Sequence, residues 1–137
     1  MSVQNALNAA IYSKLSGSAS LVAALGGTAV YFQQAPEGAP LPFVVWSYQA
    51  GGDENATPRR TVNQIILMRS FSGTASQAGS IDGIIDGLLH GHTLTVSGWS
   101  NNFWLMREQE INLVENLPST LPVFVTSALY RVRLEKD

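Results

Sequence analysis

Apolar residues at the start of the chain recur at the spacing of an α-helix. Because a helix makes one turn every 3.6 residues, positions four apart lie along one face. Ser2 is a suitable N-cap, and the pattern ends near Ser16-Gly17. The spacing predicts an amphipathic helix, followed by a short helical segment over Ser18–Leu25. The residues on the apolar face of the first helix are Val3, Ala6, Leu7, Ala10, Ile11 and Leu15.

Glycines and prolines separate this helical region from the first strands. Gly26-Gly27 stand where the end of a helix favours a left-handed residue. The prolines within 36–42 prevent a helix and keep the chain extended. We therefore predict a short strand at Val30–Gln33 and a second strand at Phe43–Tyr48. The second run is apolar almost throughout, which is typical of a strand that is buried on both faces.

The rest of the chain alternates between strand and helix patterns. Thr74-Ala-Ser-Gln77 is a capping box that opens a helix running to about Leu89. We predict an α+β fold in a single domain over residues 1–137: a mostly antiparallel sheet of about four long strands with helices packed on one face. The further strand predictions are Thr61–Phe71, a strand beginning at Leu94–Val96 before a turn at Gly98, Phe103–Leu113 and Val123–Leu134, with a rigid connection over 117–122.

One segment, Gln49–Arg60, is polar, contains glycine and is broken by Pro58. This composition predicts a long mobile loop. Exposed loops often carry function, so we expect this one to contact a neighbouring protein. The charges expected to form ion pairs at that interface are Asp53, Glu54, Arg59 and Arg60.

The second predicted helix carries glycine at every fourth position: Gly79, Gly83 and Gly87, with Gly91 just beyond it. The three helical glycines form a stripe opposite the isoleucines. Each glycine inside a helix costs roughly 1 kcal/mol relative to alanine. A stripe without side chains lets another backbone approach closely, which favours a packing surface for a neighbouring subunit. A tolerated, solvent-exposed glycine face is the alternative.

Charged residues make up only 13% of the chain, against roughly 25% in an average soluble domain. Because interface cores are depleted in charge, this deficit favours a surface that faces other subunits. A neutral, polar surface is the simpler alternative.

The balance of charge also excludes classes of partner. A net charge of −2 without a basic cluster argues against sequence-specific binding of nucleic acid. No apolar run is long enough for a membrane span, and the N-terminus lacks the basic start of a signal peptide. The absence of cysteine excludes a disulfide scaffold and a thiolate metal site. We therefore expect a soluble protein made in the cytoplasm.

Candidate catalytic and ligand-binding residues have simpler structural interpretations. His90 and His92 with Asp86 could ligate a metal, but histidines also favour the end of a helix. Asp82 and Asp86 share a helical face, where solvated acids are usual. No serine lies in a nucleophile motif, and no glycine pair lies in a phosphate loop. Trp46, Trp99, Trp104 and Phe103 fit core or interface positions better than a ligand site. The sequence thus predicts no enzyme, cofactor or metal.

Two segments resemble a known family. Gly26-Gly-Thr-Ala-Val-Tyr31 and Leu41-Pro-Phe-Val-Val-Trp46, together with the order of the elements, are similar to the tail terminator (tail completion) proteins of long-tailed bacteriophages. The resemblance implies a structural subunit without catalytic residues, assembled as a homo-hexameric ring on the tail tube protein. Such a ring stops tube polymerisation and docks head-closure (neck) proteins. It also implies a place at the tail–neck junction of the virion, assembly in the host cytoplasm, and DNA passing through the ring lumen.

Two other classes of function stay open. Another neck or head-closure protein of the phage would share the size and neutrality of this chain. A small-ligand-binding or enzymatic domain would instead need a pocket that collects His90, His92 or the tryptophans beside titratable groups with shifted pKa values.

Overall fold

The computed structural model describes residues 2–55, 58–116 and 122–137. It is an α+β fold in which three helices accompany a five-stranded sheet, as the sequence predicts. Four strands are long and one is short. The elements are α1 (Val3–Ser16), α2 (Ala19–Leu25), β1 (Val30–Phe32), β2 (Phe43–Asp53), β3 (Thr61–Ser72), α3 (Ala75–Leu89), β4 (Asn101–Asn116) and β5 (Pro122–Glu135).

The order of the strands in the sheet is β1-β2-β3-β5-β4. β1 runs parallel to β2, and all other neighbouring strands are antiparallel. β1 and β4 therefore form the two edges. β1 pairs only with Val44–Trp46, so the second half of β2 has no strand on its outer side among the described residues. β4 is irregular at two places, near Phe103 and near Glu108.

Side-chain caps fix where the helices begin. Ser2 accepts a hydrogen bond from the Asn5 N–H at 3.1 Å, and Thr74 accepts one from the Gln77 N–H at 3.2 Å. The second half of the predicted capping box is relayed. The Thr74 N–H donates to the Ser72 hydroxyl at 3.3 Å, and that hydroxyl donates to the Gln77 side chain. The predicted helix starts are confirmed, and Ser72 is an additional member of the cap.

The main core lies between the helices and one face of the sheet. The apolar faces of α1 and α3 supply Leu7, Ile11 and Ile85, and the sheet supplies Ile66 and Tyr130, all fully buried. Burying one such aliphatic side chain contributes about 1.5–3 kcal/mol, so this layer holds the helices on the sheet. A smaller apolar cluster lies on the other face of the sheet and comprises Val45, Phe71, Val123 and Val125. Strand β2 thus contributes to both clusters, which confirms its predicted burial on both faces.

Two predictions for local structure are wrong. The predicted loop Gln49–Arg60 is shorter, because β2 continues to Asp53 opposite β3. Gly51 permits this pairing, since a Cβ there would lie 2.3 Å from Oε1 of Gln64 and 2.7 Å from the Asn63 carbonyl oxygen. The predicted strand at Leu94–Val96 is irregular chain instead. Its buried apolar residues join the core, and the Leu94 N–H bonds to the Asn102 side chain at 2.7 Å rather than to a strand. The predicted connection over 117–122 lies outside the described residues, except for Pro122.

Candidate assembly surfaces

The four predicted interface charges lie where β2 ends and β3 begins, and each has a partner within its own subunit. Asp53 pairs with Arg60, and Arg59 lies 3.7 Å from Glu135. Glu54 pairs with Arg133 at 2.9 Å. The guanidinium of Arg133 in turn lies over the ring of Phe103, 4.9 Å from its centre. The charges therefore orient one another across the strand ends, while their role at an interface stays a prediction.

The glycine stripe of α3 lies on the exposed side of the helix. Gly79, Gly83 and Gly87 are exposed, whereas Ile81 and Ile85 on the opposite side are buried. A Cβ built on any of the three glycines meets nothing within 4 Å. The predicted orientation of the stripe is confirmed. A backbone that packs against it stays a prediction.

Arg107 organises a charged cluster between α3 and the sheet that the sequence did not reveal. Its guanidinium donates two hydrogen bonds to Asp82, at 2.8 and 3.2 Å, and one to the Tyr130 hydroxyl at 3.1 Å. The Tyr130 hydroxyl donates to Asp86 at 3.2 Å, and Glu110 lies 3.1 Å from Arg107. The interpretation of Asp82 as a solvated acid is wrong, because this residue is buried. Asp82 and Arg107 are 25 positions apart, so only the fold brings them together.

The protonation of this cluster follows from its contacts. Burial alone lowers the pKa of Arg107, but the hydrogen bonds to Asp82 and Tyr130 outweigh it and raise the pKa above its ordinary value. Burial raises the pKa of Tyr130 as well. The arginine is therefore charged and the tyrosine neutral at physiological pH. The paired carboxylates act as hydrogen-bond acceptors that hold α3 on β4.

The two histidines lie at the C-terminal end of α3. The Nδ1 atom of His90 accepts a hydrogen bond from the Arg107 N–H at 3.0 Å, and the Gly91 N–H donates to the Leu105 carbonyl at 2.8 Å. These bonds join the end of α3 to the edge of β4. Within the described ranges, no group of three potential metal ligands is found. His90 lines a surface depression with Asp86 and Glu110, and Trp46 lines a different groove.

Exposed aromatic residues lie at both edges of the sheet. Trp46 and Trp99 are buried, but Phe103 and Trp104 on β4 are 43% and 39% exposed. At the opposite edge, Tyr12 of α1 borders a groove of about 540 Å³ beside β1. A common ligand pocket would require the tryptophans and the histidines to lie together. In the described part of the chain they lie apart.

Comparison with known proteins decides the family. The family model described as "Tail completion protein gp17" matches residues 9–116, from within α1 to the end of β4. The chain belongs to this tail completion family. It is a structural tail protein of a virion, as the resemblance of the two segments and of the element order implies. No curated protein matches the chain.

The fold of this tail completion protein also occurs in a solved particle. A chain from the structure titled "Virion of native gene transfer agent (GTA) particle" superposes with a TM-score of 0.79 at 22% identity. The match covers 98% of each chain. The two chains therefore share one fold from end to end. Within the described residues, none of the helices has the length and apolar character that a membrane crossing requires.

Proposed function

We propose that this tail completion protein closes the tail tube as a homo-hexameric ring, stops tube polymerisation and joins the tail to the head. Membership of the tail completion family is the observation that carries this proposal. The ring would rest on the tail tube protein at one side and receive a head-closure protein at the other. It would form in the host cytoplasm, lie at the tail–neck junction of the virion and let DNA pass through its lumen.

The surfaces of the isolated subunit support an assembly role. Only 13% of the residues are charged, and within the described residues the exposed large apolar side chains include three on the edge strand β4. Exposed apolar residues on a surface depleted in charge are typical of subunit contacts. We propose that Gly79, Gly83 and Gly87 form one contact between subunits, because their side of α3 admits another backbone.

The charges at the β2–β3 connection suit a second contact. Asp53, Glu54, Arg59 and Arg60 lie at the end of the sheet in ion pairs; the Arg59 and Arg60 side chains are largely exposed, and the pair of Glu54 with Arg133 is partly buried. Exposed pairs of this kind contribute little to folding, roughly 0–1 kcal/mol each. We propose that these four charges exchange their partners for charges of a neighbouring virion protein. We also propose that residues 1–137 form a single domain, which presents the glycine stripe and the charged strand ends to its neighbours.

Removing the protein from assembling virions tests the proposed function. Without a ring to stop polymerisation, tail tubes should grow to irregular lengths and carry no heads, and supplying the intact chain should restore both features. Electron microscopy of the lysate measures tube length and the fraction of joined tails. Tubes of normal length without heads would point to a head-closure protein instead. Normal, joined tails would contradict both roles.

A further inference from the structure

The end of α3 covers part of the outer edge of β4. Among the described residues only β5 pairs with β4, so backbone groups on the other side of β4 need different partners. Two of these groups find partners at the end of α3. The Gly91 N–H donates to the Leu105 carbonyl at 2.8 Å, and the Arg107 N–H donates to Nδ1 of His90 at 3.0 Å. Residues 90–91 therefore close this stretch of the edge, as a further strand would.

The two bonds differ in how they respond to pH. The bond from Gly91 to Leu105 joins two backbone groups, which do not titrate. The bond from Arg107 ends on a ring nitrogen, and a ring nitrogen accepts a hydrogen bond only while it carries no proton. An imidazole ring ordinarily gains its second proton between about pH 8 and 5. Only the neutral form of His90 can therefore hold the Arg107 N–H.

The surroundings of His90 offer other acceptors to the charged ring. Carboxylates of Asp86 and Glu110 line the same depression, and their side chains are 40% and 67% exposed. The guanidinium of Arg107 opposes a second positive charge, but it is paired with Asp82 at 2.8 Å. The titratable groups of the elements around the ring are Asp82 and Asp86 on α3, Arg107, Glu108 and Glu110 on β4, and Tyr130 on β5.

We propose that His90 is a pH-sensitive latch between the end of α3 and the edge strand β4. The neutral ring closes the latch by accepting the Arg107 N–H. The protonated ring opens it and turns to the carboxylates of the depression, while the bond from Gly91 to Leu105 keeps α3 attached. The Arg107 N–H then becomes a free donor on a strand edge, where another chain can pair with it. The latch is independent of the proposed ring.

Hydrogen exchange of single amides in the isolated, full-length chain tests the latch. NMR follows the exchange of the Arg107 amide between about pH 8 and 5, corrected for the intrinsic effect of pH on exchange. The protection of this amide should fall about tenfold as the His90 ring gains its charge, as expected for the loss of one hydrogen bond. The protection of the Gly91 amide should stay constant over the same range.

Two asparagine variants supply the matched comparison. His90→Asn offers a side-chain oxygen that does not titrate, so Arg107 should keep the same protection at every pH. His92 is also exposed, and its backbone N–H bonds to the Leu89 carbonyl at 3.1 Å. His92→Asn should therefore leave the pH dependence of Arg107 as it is in the intact chain.

Several results would overturn the latch. The first is constant protection of Arg107 in the intact chain while the ring signals of His90 show that its charge has changed. The second is a His90 ring that keeps one charge over the whole range. A third is joint loss of protection at Arg107 and Gly91, which would mean that the end of α3 detaches as a unit. Loss of the pH dependence in His92→Asn would assign the effect to His92.

The tautomer of His90 provides an independent measurement. A neutral ring that accepts at Nδ1 carries its proton on Nε2. The nitrogen chemical shifts of the ring at about pH 8 should therefore show an unprotonated Nδ1. A proton on Nδ1 at that pH would contradict the latch, because the ring could not accept the Arg107 N–H.

Discussion

Two groups of ion pairs differ in burial, and the difference separates folding from assembly. The Arg107 cluster lies between α3 and β4, where the side chains of Arg107 and Asp82 are 14% and 11% exposed. The pairs at the β2–β3 connection lie at the end of the sheet, where the side chain of Arg60 is 59% exposed. A buried charge that loses its partner is strongly destabilising, whereas an exposed one returns to water. The first group therefore maintains the fold, and we propose that the second contacts other proteins.

The same difference between a folding role and an assembly role separates two adjacent residues of α3. Asp82 faces inward to Arg107, while Gly83 faces outward with open space around it. A change at Asp82 should act on the stability of the subunit, and a change at Gly83 should act on what the subunit contacts. The predictions below test this division in order of decreasing effect.

Breaking the buried pair should have the largest effect. Asp82→Ala removes the bidentate partner of Arg107 while Glu110 and Tyr130 stay within reach, and we expect a loss of about 1.5–3 kcal/mol in the free energy of unfolding. Urea unfolding followed by circular dichroism measures it. Arg131→Ala is the matched control, because Arg131 pairs with Glu108 in a more exposed position and should cost roughly 0–1 kcal/mol. Equal losses for the two variants would contradict the division.

Changes at Gly83 should separate folding from assembly. Gly83→Ala meets no neighbouring atom, so removing the helical glycine should stabilise the subunit by up to about 1 kcal/mol. The thermal melt of the isolated protein measures this gain. In the ring, the added methyl group should impair assembly if another backbone packs against the stripe.

Gly83→Arg sharpens the same test. It adds bulk and a charge at the proposed contact, and we expect it to leave the subunit folded but abolish the joining of heads to tails. The yield of infectious or head-joined particles is the measurement. Normal joining by the arginine variant would show that the glycine stripe faces solvent in the assembled tail.

The exposed pairs should have the smallest effect on folding. Arg60→Ala removes the partner of Asp53, and we expect a change of roughly 0–1 kcal/mol in the free energy of unfolding. Joining of heads to tails should nevertheless fall relative to the intact chain, and the difference should be largest at low salt, because screening weakens the exposed contact that only the intact chain makes. If joining is unaffected at every salt concentration, these charges only connect two strands of their own subunit.

Local patterns in the sequence predicted the helices and strands, but they did not predict contacts between residues that are distant in the sequence. The four-residue spacing from Val3 to Leu15 and the cap at Thr74 correctly indicated α1 and α3, because helices are specified by neighbouring positions. The extent of β2 was underestimated, since Gly51 looks like a loop residue until its contact with Gln64 is known. The Arg107–Asp82 pair joins β4 to α3, and no spacing within either element indicates it. The glycine stripe was predictable because it repeats along a single helix.

The symmetry of the tail end tests the central claim most directly. Cryo-electron microscopy of intact tails, with this chain located by its fold, should show one homo-hexameric ring between the last tube ring and the head-closure proteins. A ring of another symmetry, or this chain bound only on the portal side, would contradict the account.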